Sequence, residues 1–552
     1  MLTGHRIELL GDTVPSWNIA EVWEVAAEAL PDSPAQVQGS RRTTWAEFDR
    51  RADGVAKALL ELGVKHQDKV AQYLYNCPAY LESLFGAWKA GLVPVNTNYR
   101  YTEDELLYLW DNADAVCVVF QGEFTDRIEA IRDRLPKVRL WLWVDDGAGA
   151  CPAWATPYEE AATCATERTV APWGRSPDDL YMLYTGGTTG MPKGVMWRQD
   201  DIFALLNGAS PNALPADGTL DDVREHLRTN GPSFTAIPAC PLMHGTGALV
   251  SFGMLLGGGC VVLLESQSFD AEELFDAVQR EAVNVLVIVG DVFAKPMIRA
   301  LDANPGRWDL STLGMVYSSG VMWSEQVKQS LLAHHPAMLL VDALGSSEAI
   351  GMGTSLSAAD NAAGTASFSL GPNAVVISDG NRLVEPGSGE VGRVGIKGRV
   401  PVGYYKDSEK SAETFPEIDG IRYSIPGDYA TVDADGSIRL LGRGSAVINT
   451  GGEKVFPEEV EEALKTHESV RDAVAVGVPD DRFGEAVTAL VELEPGAELD
   501  EAGIIAHVKT SLAGFKAPKR VLQIETIGRA ANAKVDYKRL KTEAIEALGI
   551  AG

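Results

Sequence analysis

The sequence contains few cysteines, and none of them has a partner at metal-ligand spacing. The six residues are scattered along the 552-residue chain without a CxxC motif. This argues against a zinc framework and against a disulfide-stapled fold, both of which need grouped cysteines. We therefore expect reduced, mostly buried thiols in a cytoplasmic protein. The six residues are Cys77, Cys117, Cys151, Cys164, Cys240 and Cys260.

Positive charge is also scarce. The chain has 48 Lys and Arg against 77 Asp and Glu, which gives a formal net charge of −29. Such an acidic protein repels nucleic acid and anionic lipid, so we expect neither as a partner. The exception is the segment 509–541, where nine basic residues outnumber two acidic ones. That segment is either a solvated helical face or a local surface that attracts polyanions.

The sequence lacks a clear membrane segment. The first residues do not contain the apolar core of a secretory signal, so we expect no such signal. Residues 236–264 contain no Asp, Glu, Lys or Arg and are long enough to span a bilayer. They also contain prolines and glycines, and their last part, LLGGGCVVLL, is typical of a helix end, a turn and a buried strand. We interpret the segment as protein core.

The length and the apolar pattern predict a large α/β region. A chain of 552 residues is too long for one core, so at least two domains are expected. Helical patterns at 19–30, 45–62 and 79–90 alternate with short apolar strands. This alternation favours parallel sheets covered by helices. Further apolar strands follow at 283–289, 313–319 and 337–344.

The last third of the chain has a different pattern of apolar and turn-forming residues. After about residue 371, short strands alternate with glycine-rich turns, which predicts a small β subdomain. From residue 447 a strand is followed by a helical pattern over 457–465 and by two more strands. We therefore expect an N-terminal domain over 1–443 and a smaller α+β domain over 444–552.

A segment rich in glycine and threonine, YTGGTTGMPKG at residues 184–194, predicts a phosphate-binding loop. Glycine lets backbone N–H groups approach an anion, while threonine hydroxyls and a lysine add donors. The segment is not the P-loop of nucleotide-binding proteins. Gly194 stands where that motif has Ser or Thr, and a strand rather than a helix is expected next.

This segment resembles the phosphate signature of the acyl-adenylate-forming family, which includes acyl-CoA synthetases, luciferases and the adenylation domains of peptide synthetases. The family pattern is Y/F-T-S-G-T-T-G-x-P-K-G, and ten of its eleven positions match, with Gly186 in place of Ser. The resemblance implies that the phosphates of ATP bind at Thr185, Gly186, Gly187, Thr188, Thr189 and Lys193.

Two further segments resemble adenine-binding elements of that family. In VDALGSSE, residues 341–348, Ser347 stands at the usual Thr and Glu348 at the acidic position. The resemblance implies that Glu348 and Thr185 hold Mg²⁺ on ATP, because a hard cation prefers oxygen ligands. VYSSGVM, residues 316–322, resembles the loop beside adenine. The implied adenine-site residues are Ser318, Ser319, Gly320, Asp342, Ala343, Leu344, Gly345, Ser346 and Ser347.

The segment IPGDYATVDADGSIRLLGR, residues 425–443, predicts a β-hairpin. Its DADG turn would fold the flanking strands together and bring Asp428 and Arg443 to the same open end. A carboxylate there can accept hydrogen bonds from both hydroxyls of a ribose. The resemblance gives that role to Asp428 with Arg443 beside it, and a plain ion pair at the hairpin end is the alternative.

Two more residues gain a role from the resemblance. His244, in PLMHGTG, stands at the family's aromatic position beside the acyl pocket, and a hydrogen-bonded core histidine is the alternative. Lys534, in GRAANAKVD, stands at the family's catalytic lysine, with Gly528 and Ala533 in place of the family's Pro and Gly. The implied catalytic residues are Lys534, Lys193, His244 and Glu348.

The resemblance implies a two-step ligation that uses ATP, Mg²⁺ and coenzyme A. A carboxylate attacks the α-phosphate of ATP to give acyl-AMP and pyrophosphate, and the CoA thiol then displaces AMP. Family members rotate the C-terminal domain between the two steps about a hinge, which corresponds to Ser445 here. Thr450, Gly451 and Gly452 would then line the channel for the pantetheine arm of CoA.

Details of the motifs favour one group of acids. TGGTTGMPKGVMWR, VGDVFAKPM, LGSSE and PVGYYKD look most like bacterial fatty acyl-CoA ligases that include steroid side-chain members. We expect a medium- or long-chain fatty acid or a sterol side-chain acid as the small-molecule partner, and a homodimer is compatible with the resemblance. The alternatives are an adenylation enzyme served by a separate carrier protein, a fatty acyl-AMP ligase, and a nucleotide-binding regulator without catalysis.

Overall fold

The computed structural model describes residues 16–187, 190–450, 453–480, 482–530 and 534–550. The helices, α1 to α16 in chain order, are Ile19–Ala29, Trp45–Glu61, Pro78–Lys89, Glu103–Asn112, Thr125–Ile131, Tyr158–Ala162, Gln199–Gly208, Leu220–Asn230, Gly245–Leu256, Ala271–Arg280, Gly290–Ala303, Glu325–His334, Ser408–Thr414, Pro457–Lys465, Glu501–Ser511 and Tyr537–Ala547.

The strands, β1 to β28 in chain order, are Pro34–Gln38, Arg41–Thr44, Lys69–Tyr73, Val93–Asn96, Ala115–Gln121, Leu140–Val144, Thr156–Pro157, Leu180–Gly187, Gly190–Arg198, Thr235–Pro238, Cys260–Leu263, Val285–Ile288, Met315–Ser319, Leu339–Ser346, Ala349–Ser357, Ser367–Leu370, Ala374–Ile377, Val391–Lys397, Gly403–Tyr404, Glu417–Ile418, Ile421–Ser424, Asp428–Val432, Ile438–Arg443, Ile448–Thr450, Glu453–Val455, Val470–Asp480, Gly484–Leu493 and Arg520–Gln523.

Two sheets form the large α/β region. One has the strand order β19-β9-β8-β4-β3-β5-β6-β7, and its central pairs are parallel. The other is parallel from β1 through β11, β10, β12 and β13 to β14. From β14 onward its pairs are antiparallel, and it continues into the strands of a β subdomain. The predicted parallel sheets and small β subdomain are therefore confirmed.

Helices α1, α2 and α3 pack together through large aromatic side chains. Trp23 lies at the centre, with its ring centroid 5.2 Å from that of Phe85 and 5.4 Å from that of Trp88. Asn18 and Thr44 cap α1 and α2, because their side chains accept hydrogen bonds from backbone N–H groups of the first turn. This cluster anchors the helices that cover both sheets.

Residues 236–264, which carry no charge, are core as predicted. They form α9, a turn at Gly257–Gly259 and the fully buried strand β11. Among the described residues, no helix combines the length and apolar character needed to cross a membrane. All six cysteines are unpaired thiols, and Cys77, Cys117, Cys240 and Cys260 are buried.

The last hundred residues fold around a sheet of their own. Its strand order is β25-β24-β27-β26, with β28 parallel to β27. Helices α14 and α15 contribute to one apolar cluster against the sheet, and α16 contributes to another. The described members of both clusters all come from Ile448 onward.

Candidate active site

The predicted hairpin at residues 425–443 is formed by β22 and β23. Asp428 lies opposite Arg443 in the strand register, and Arg443 Nε is 3.2 Å from Asp428 Oδ1. Asp428 is buried, and its Oδ2 has no hydrogen-bond partner among the described residues. A buried carboxylate oxygen without a donor is unfavourable unless a bound molecule supplies one. The hairpin end therefore offers an acceptor for a hydroxyl group.

The segment at residues 184–194 forms a strand pair, whereas the sequence predicted a loop over this whole segment. Thr185 of β8 lies opposite Lys193 of β9, and Gly187 lies opposite Gly190. Thr188 and Thr189 lie outside the described residues. The strands extend further into this segment than predicted, because β8 pairs with β4 in the parallel sheet and β9 pairs antiparallel with β8. As predicted, β9 is followed by α7, with no helix at the phosphate segment itself.

Lys193 is held by a neighbour from a distant part of the chain. Its Nζ lies 2.5 Å from Asp407 Oδ2 and 5.7 Å from the centre of the Tyr404 ring. The ammonium charge is therefore positioned by a carboxylate and an aromatic face before any ligand binds.

Glu348 lies in the turn between β14 and β15 and is fixed from several sides. Its Oε1 accepts a hydrogen bond of 2.9 Å from the Tyr404 hydroxyl, and its backbone oxygen accepts one of 2.6 Å from Ser424. The indole N–H of Trp197 donates to the backbone oxygen of Ser347 at 2.8 Å. Tyr404 thus contacts both the carboxylate of Glu348 and the ammonium of Lys193.

The predicted adenine-site residues lie at the carboxyl ends of the adjacent parallel strands β13 and β14. Ser319 pairs with Ala343 in register, and Gly320 follows β13 with a φ of 103°. Ser318 is buried, and its hydroxyl accepts the N–H of Gly290 at 2.9 Å. Leu344 is buried and packs in the apolar core of the β subdomain. The remaining members of the set, Gly345, Ser346 and Ser347, complete the end of β14 and the turn that leads to Glu348.

The side chain of Asp342, one of the predicted adenine-site residues, has a partner inside the protein. It is buried and forms an ion pair with the equally buried Lys328, with an Nζ to Oδ2 distance of 3.3 Å. Burial raises the pKa of Asp342 to about 6, although Lys328 acts in the opposite direction. The side chain of Asp342 therefore supports the strand end from inside the protein.

His244 stands at the N-cap of α9. Burial, together with the positive charges of Lys534 and Arg100, lowers the pKa of His244 to about 3. The imidazole is therefore neutral over the whole physiological range, which suits a wall of an apolar pocket better than an acid or base.

Lys534 brings the C-terminal domain into the site. Burial lowers the pKa of Lys534, and Arg443 lowers it further, while Glu348 and Asp428 act in the opposite direction. These electrostatic contacts place the ammonium group among the residues of the hairpin end and of the β14 turn. Four predicted residues from three separate segments of the sequence, Glu348, Asp428, Arg443 and Lys534, therefore lie within electrostatic reach of one another, and Lys534 also acts on His244; we call the space among these five side chains the cleft.

Of the predicted hinge and CoA residues, the structure describes Ser445 and Thr450. Ser445 belongs to the short 3₁₀ turn Gly444–Ala446, directly after β23. Thr450 is buried in β24, where it pairs with Gly484 of β27. Gly451 and Gly452 lie outside the described residues.

Sequence reasoning assigned no role to Tyr404, Asp407, Trp197 or Ser424. The segment PVGYYKD, which contains Tyr404 and Asp407, was singled out only as a detail of substrate preference. The sequence signal for a role in the site was the presence of aromatic and acidic residues close together in this segment. Their partners, Glu348 for Tyr404 and Lys193 for Asp407, lie 56 and 214 positions away in the sequence.

The residues present fit one Mg²⁺ ion carried by a phosphate ligand. In the described part of the chain, no group of three or more His, Cys, Asp or Glu is arranged to hold a metal ion. Mg²⁺ bound to a nucleotide needs only one or two protein carboxylates and takes its other ligands from phosphate and water. The single fixed carboxylate of Glu348 matches that requirement.

Comparison with known proteins gives two family matches. The AMP-binding enzyme model matches residues 23–405, and the model of the AMP-binding enzyme C-terminal domain matches residues 459–534.

Several curated proteins are similar along nearly the whole chain. The medium/long-chain-fatty-acid–CoA/3-oxocholest-4-en-26-oate–CoA ligase of Mycolicibacterium smegmatis is 39% identical over 537 residues, which cover 95% of this chain and 96% of its own. The 3-oxocholest-4-en-26-oate–CoA ligase of Rhodococcus rhodochrous is 38% identical with the same coverage. The medium-chain acyl-CoA ligase Mig of Mycobacterium avium is 36% identical and covers 97% and 100%.

Solved structures share the fold. The anthranilate CoA ligase AuaEII, in complex with anthranoyl-AMP, superposes with a TM-score of 0.82 at 21% identity, over 97% of this chain and 98% of that one. ATP-bound MatB from Rhodopseudomonas palustris superposes with a TM-score of 0.78 at 24% identity, over 96% and 99%.

Proposed function

Because the chain belongs to the AMP-binding enzyme family, we propose that it is an ATP-dependent acid–thiol ligase that makes an acyl-CoA through an acyl-AMP intermediate. One observation carries this proposal: Lys534 of the C-terminal domain lies in the same cleft as Glu348, Asp428 and Arg443. A protein that only bound a nucleotide would have little use for a second cation, beside Arg443, that a separate domain delivers to these residues.

In the first step a carboxylate oxygen of the acid attacks the α-phosphorus of ATP, and pyrophosphate leaves. Negative charge gathers on the α-phosphate oxygens, and Lys534 lies where its ammonium can stabilise that charge. Lys193, held by Asp407, would bind the phosphates with the backbone N–H groups of the β8–β9 tip. Mg²⁺, when bound to those phosphates through Glu348 and Thr185, would neutralise further charge.

The nucleoside part of ATP would bind along the edge formed by β13, β14 and the hairpin. Asp428 Oδ2 is the acceptor for the ribose hydroxyls, with Arg443 fixing the other carboxylate oxygen. The strand ends at Ser318–Gly320 and Ala343–Ser347 would flank the adenine. Leu344 has no aromatic ring, so its contact with adenine would be apolar only.

The second step would need a different arrangement of the domains. We call the present arrangement, in which Lys534 faces the cleft, the adenylating pose. Rotation about Ser445 would withdraw Lys534 and bring Thr450, Gly451 and Gly452 to the acyl-AMP. The thiol of CoA then attacks the acyl carbon and AMP leaves. This division of labour assigns residues 1–443 to the nucleotide site and 444–552 to the moving domain.

The acid is a medium- or long-chain fatty acid or a steroid side-chain acid. The ligases that are 36–39% identical to this chain carry these substrates in their names.

A pyrophosphate-release assay with acids of graded size tests this proposal. Acetate, octanoate, palmitate and 3-oxocholest-4-en-26-oate are each supplied with ATP and Mg²⁺, with and without CoA. We expect AMP and pyrophosphate as products, the highest kcat/KM for the larger acids, and an acyl-CoA product when CoA is present.

Three results would contradict the proposal in different ways. Acid-dependent ADP and phosphate would exclude adenylation, and a preference for acetate would exclude the assigned acid class. Release of pyrophosphate without any thioester in the presence of CoA would favour the fatty acyl-AMP ligase alternative. The cytoplasmic location and the homodimer stay predictions.

A further inference from the structure

Two charged residues near opposite ends of helix α14 of the C-terminal domain act on groups of the large domain. They are Glu458 in the first turn and Lys465 in the last. Lys465 pairs with Glu462. Burial opposes its charge, but Glu462 and then Asp291, which lies in α11 of the large domain, raise the pKa of Lys465 above its usual value. The C-terminal end of α14 therefore brings a cation near an acidic residue of the large domain.

The other end of α14 is docked by a carboxyl group. Glu458 Oε1 accepts the backbone N–H of Arg443 at 3.2 Å, directly at the end of the ribose hairpin. Gly442 has a φ of 132°, and a Cβ at this position would overlap the Glu458 carboxyl. The carboxyl thus fills the space that a side chain at residue 442 would occupy, and it contacts the strand that carries Arg443.

The surroundings of this carboxyl disfavour its charged form. Glu458 Oε2 is buried and has no hydrogen-bond partner among the described residues. Burial, together with the charges of Glu461 and Asp428, raises the pKa of Glu458 to about 8, although the hydrogen bond from the Arg443 backbone acts in the opposite direction. Arg443 and Tyr537 are the other titratable groups that face it. A carboxylate placed here would leave Oε2 without a donor and would lie near two other acidic groups.

We propose that Glu458 is a positioning residue for acyl-AMP formation, which docks α14 on the ribose hairpin as a neutral acid and thereby holds Arg443 and Asp428 in place. The inference rests on the proposed two-step function, because the residue is carried by the moving domain. It is present at the hairpin in the adenylating pose and leaves with α14 when the domain rotates for thioester formation.

Docking is then coupled to the uptake of one proton. In the rotated pose Glu458 returns to a pKa near the ordinary value of about 4.3. The docked form has the higher pKa, so docking is strongest at low pH and weakens as pH rises between the two values. The equilibrium constant for docking falls by about tenfold per pH unit in this window. The docked fraction falls by the same factor where the rotated pose predominates. The raised pKa of Lys465 keeps this residue charged there, so it adds no such dependence.

Glu458→Gln tests the inference, because an amide keeps the acceptor for Arg443 and removes the need for a proton. Single-turnover rates of acyl-AMP formation are compared with the wild type from pH 6 to pH 8. We expect the ratio of variant to wild-type rate to rise by at least about threefold over this range. Thioester formation from supplied acyl-AMP should show no such rise. Glu468→Gln, an exposed glutamate just after α14, is the matched control and should follow the wild type at every pH.

Glu458→Ala provides a second reading. It removes the acceptor altogether, so acyl-AMP formation should fall at all pH values while thioester formation from supplied acyl-AMP persists. Parallel pH profiles of Glu458→Gln and wild type in acyl-AMP formation would overturn the inference and leave the proposed function standing. A wild-type enzyme that makes no acyl-AMP from any acid would overturn both.

Discussion

Asp428 presents a buried carboxylate oxygen that has no donor among the described residues, and this oxygen is the basis of the ribose assignment. We predict that Asp428→Ala raises the KM for ATP by about 10- to 100-fold, because lost hydrogen bonds to a charged acceptor cost about 1.5–3 kcal/mol. The KM for the acid should change little. Asp433→Ala, at the turn end of the same hairpin, is the control. A rise confined to the KM of the acid would refute the assignment.

Lys534 is predicted to act in one step only. Removing one preorganised donor to a developing oxyanion costs about 10²- to 10³-fold in rate, so Lys534→Ala should slow acyl-AMP formation by at least that factor. Thioester formation from supplied acyl-AMP should stay close to normal, because the lysine has left the cleft by then. Single-turnover assays of each step measure both effects, with Lys538→Ala on the exposed side of α16 as the control. Equal losses in both steps would make the lysine structural.

For individual residues, the motifs predicted the charged residues of the site but not the residues that contact and position them. Glu348, Asp428, Arg443 and Lys534 lie together as their motifs imply. The hydrogen bond from Tyr404 to Glu348 and the ion pair between Lys193 and Asp407 were not foreseen. Such contacts depend on how β19 pairs with β9, and no local pattern encodes that pairing.

Among the elements, the short turn Gly444–Ala446 joins the ribose hairpin to the C-terminal domain. The N–H of Gly444 donates to the backbone oxygen of Gly427 at 3.0 Å, and a Cβ at Gly444 would overlap the ring of Tyr429. The turn is therefore packed on its first residue, one position before the proposed hinge at Ser445.

We predict that Ser445→Pro separates the two half-reactions. Proline fixes φ near −65°, so the variant should be held in one pose, with one half-reaction close to wild type and the other reduced. Ser445→Ala leaves the backbone free and should behave like the wild type. Both half-reactions of the proline variant at wild-type rates would show that no rotation occurs about this residue.

Most elements could be predicted, since their patterns are strongly periodic. The predicted helix at 457–465 has the observed bounds, and the hairpin at 425–443 has the expected register. The phosphate segment was the exception. Its glycines and threonines favour a loop, but β4 and β8 pair in the sheet and draw the segment into extended strands. A prediction from local sequence cannot detect partner strands of this kind.

For the whole molecule, counting charges along the sequence was a poor guide to the charge of the folded surface. The basic segment 509–541 stands out in a chain of net charge −29, yet in the folded domain many of its cations have acidic partners. The five partners named below all come from outside the segment, so the folded surface is less basic than the count implies. The ion pairs are Lys516–Glu459, Arg520–Glu501, Arg529–Asp472, Arg539–Glu543 and Lys541–Glu485.

The most direct test of the central claim follows the oxygen atoms of the acid. If a carboxylate oxygen attacks the α-phosphorus and the thiol later displaces AMP, that oxygen leaves with AMP. Palmitate labelled with ¹⁸O in both carboxylate oxygens is turned over with ATP, Mg²⁺ and CoA, and the products are analysed by mass spectrometry. The account predicts one ¹⁸O atom in AMP, none in pyrophosphate and one in the palmitoyl-CoA carbonyl. Label in inorganic phosphate together with ADP, or AMP without label, would contradict it.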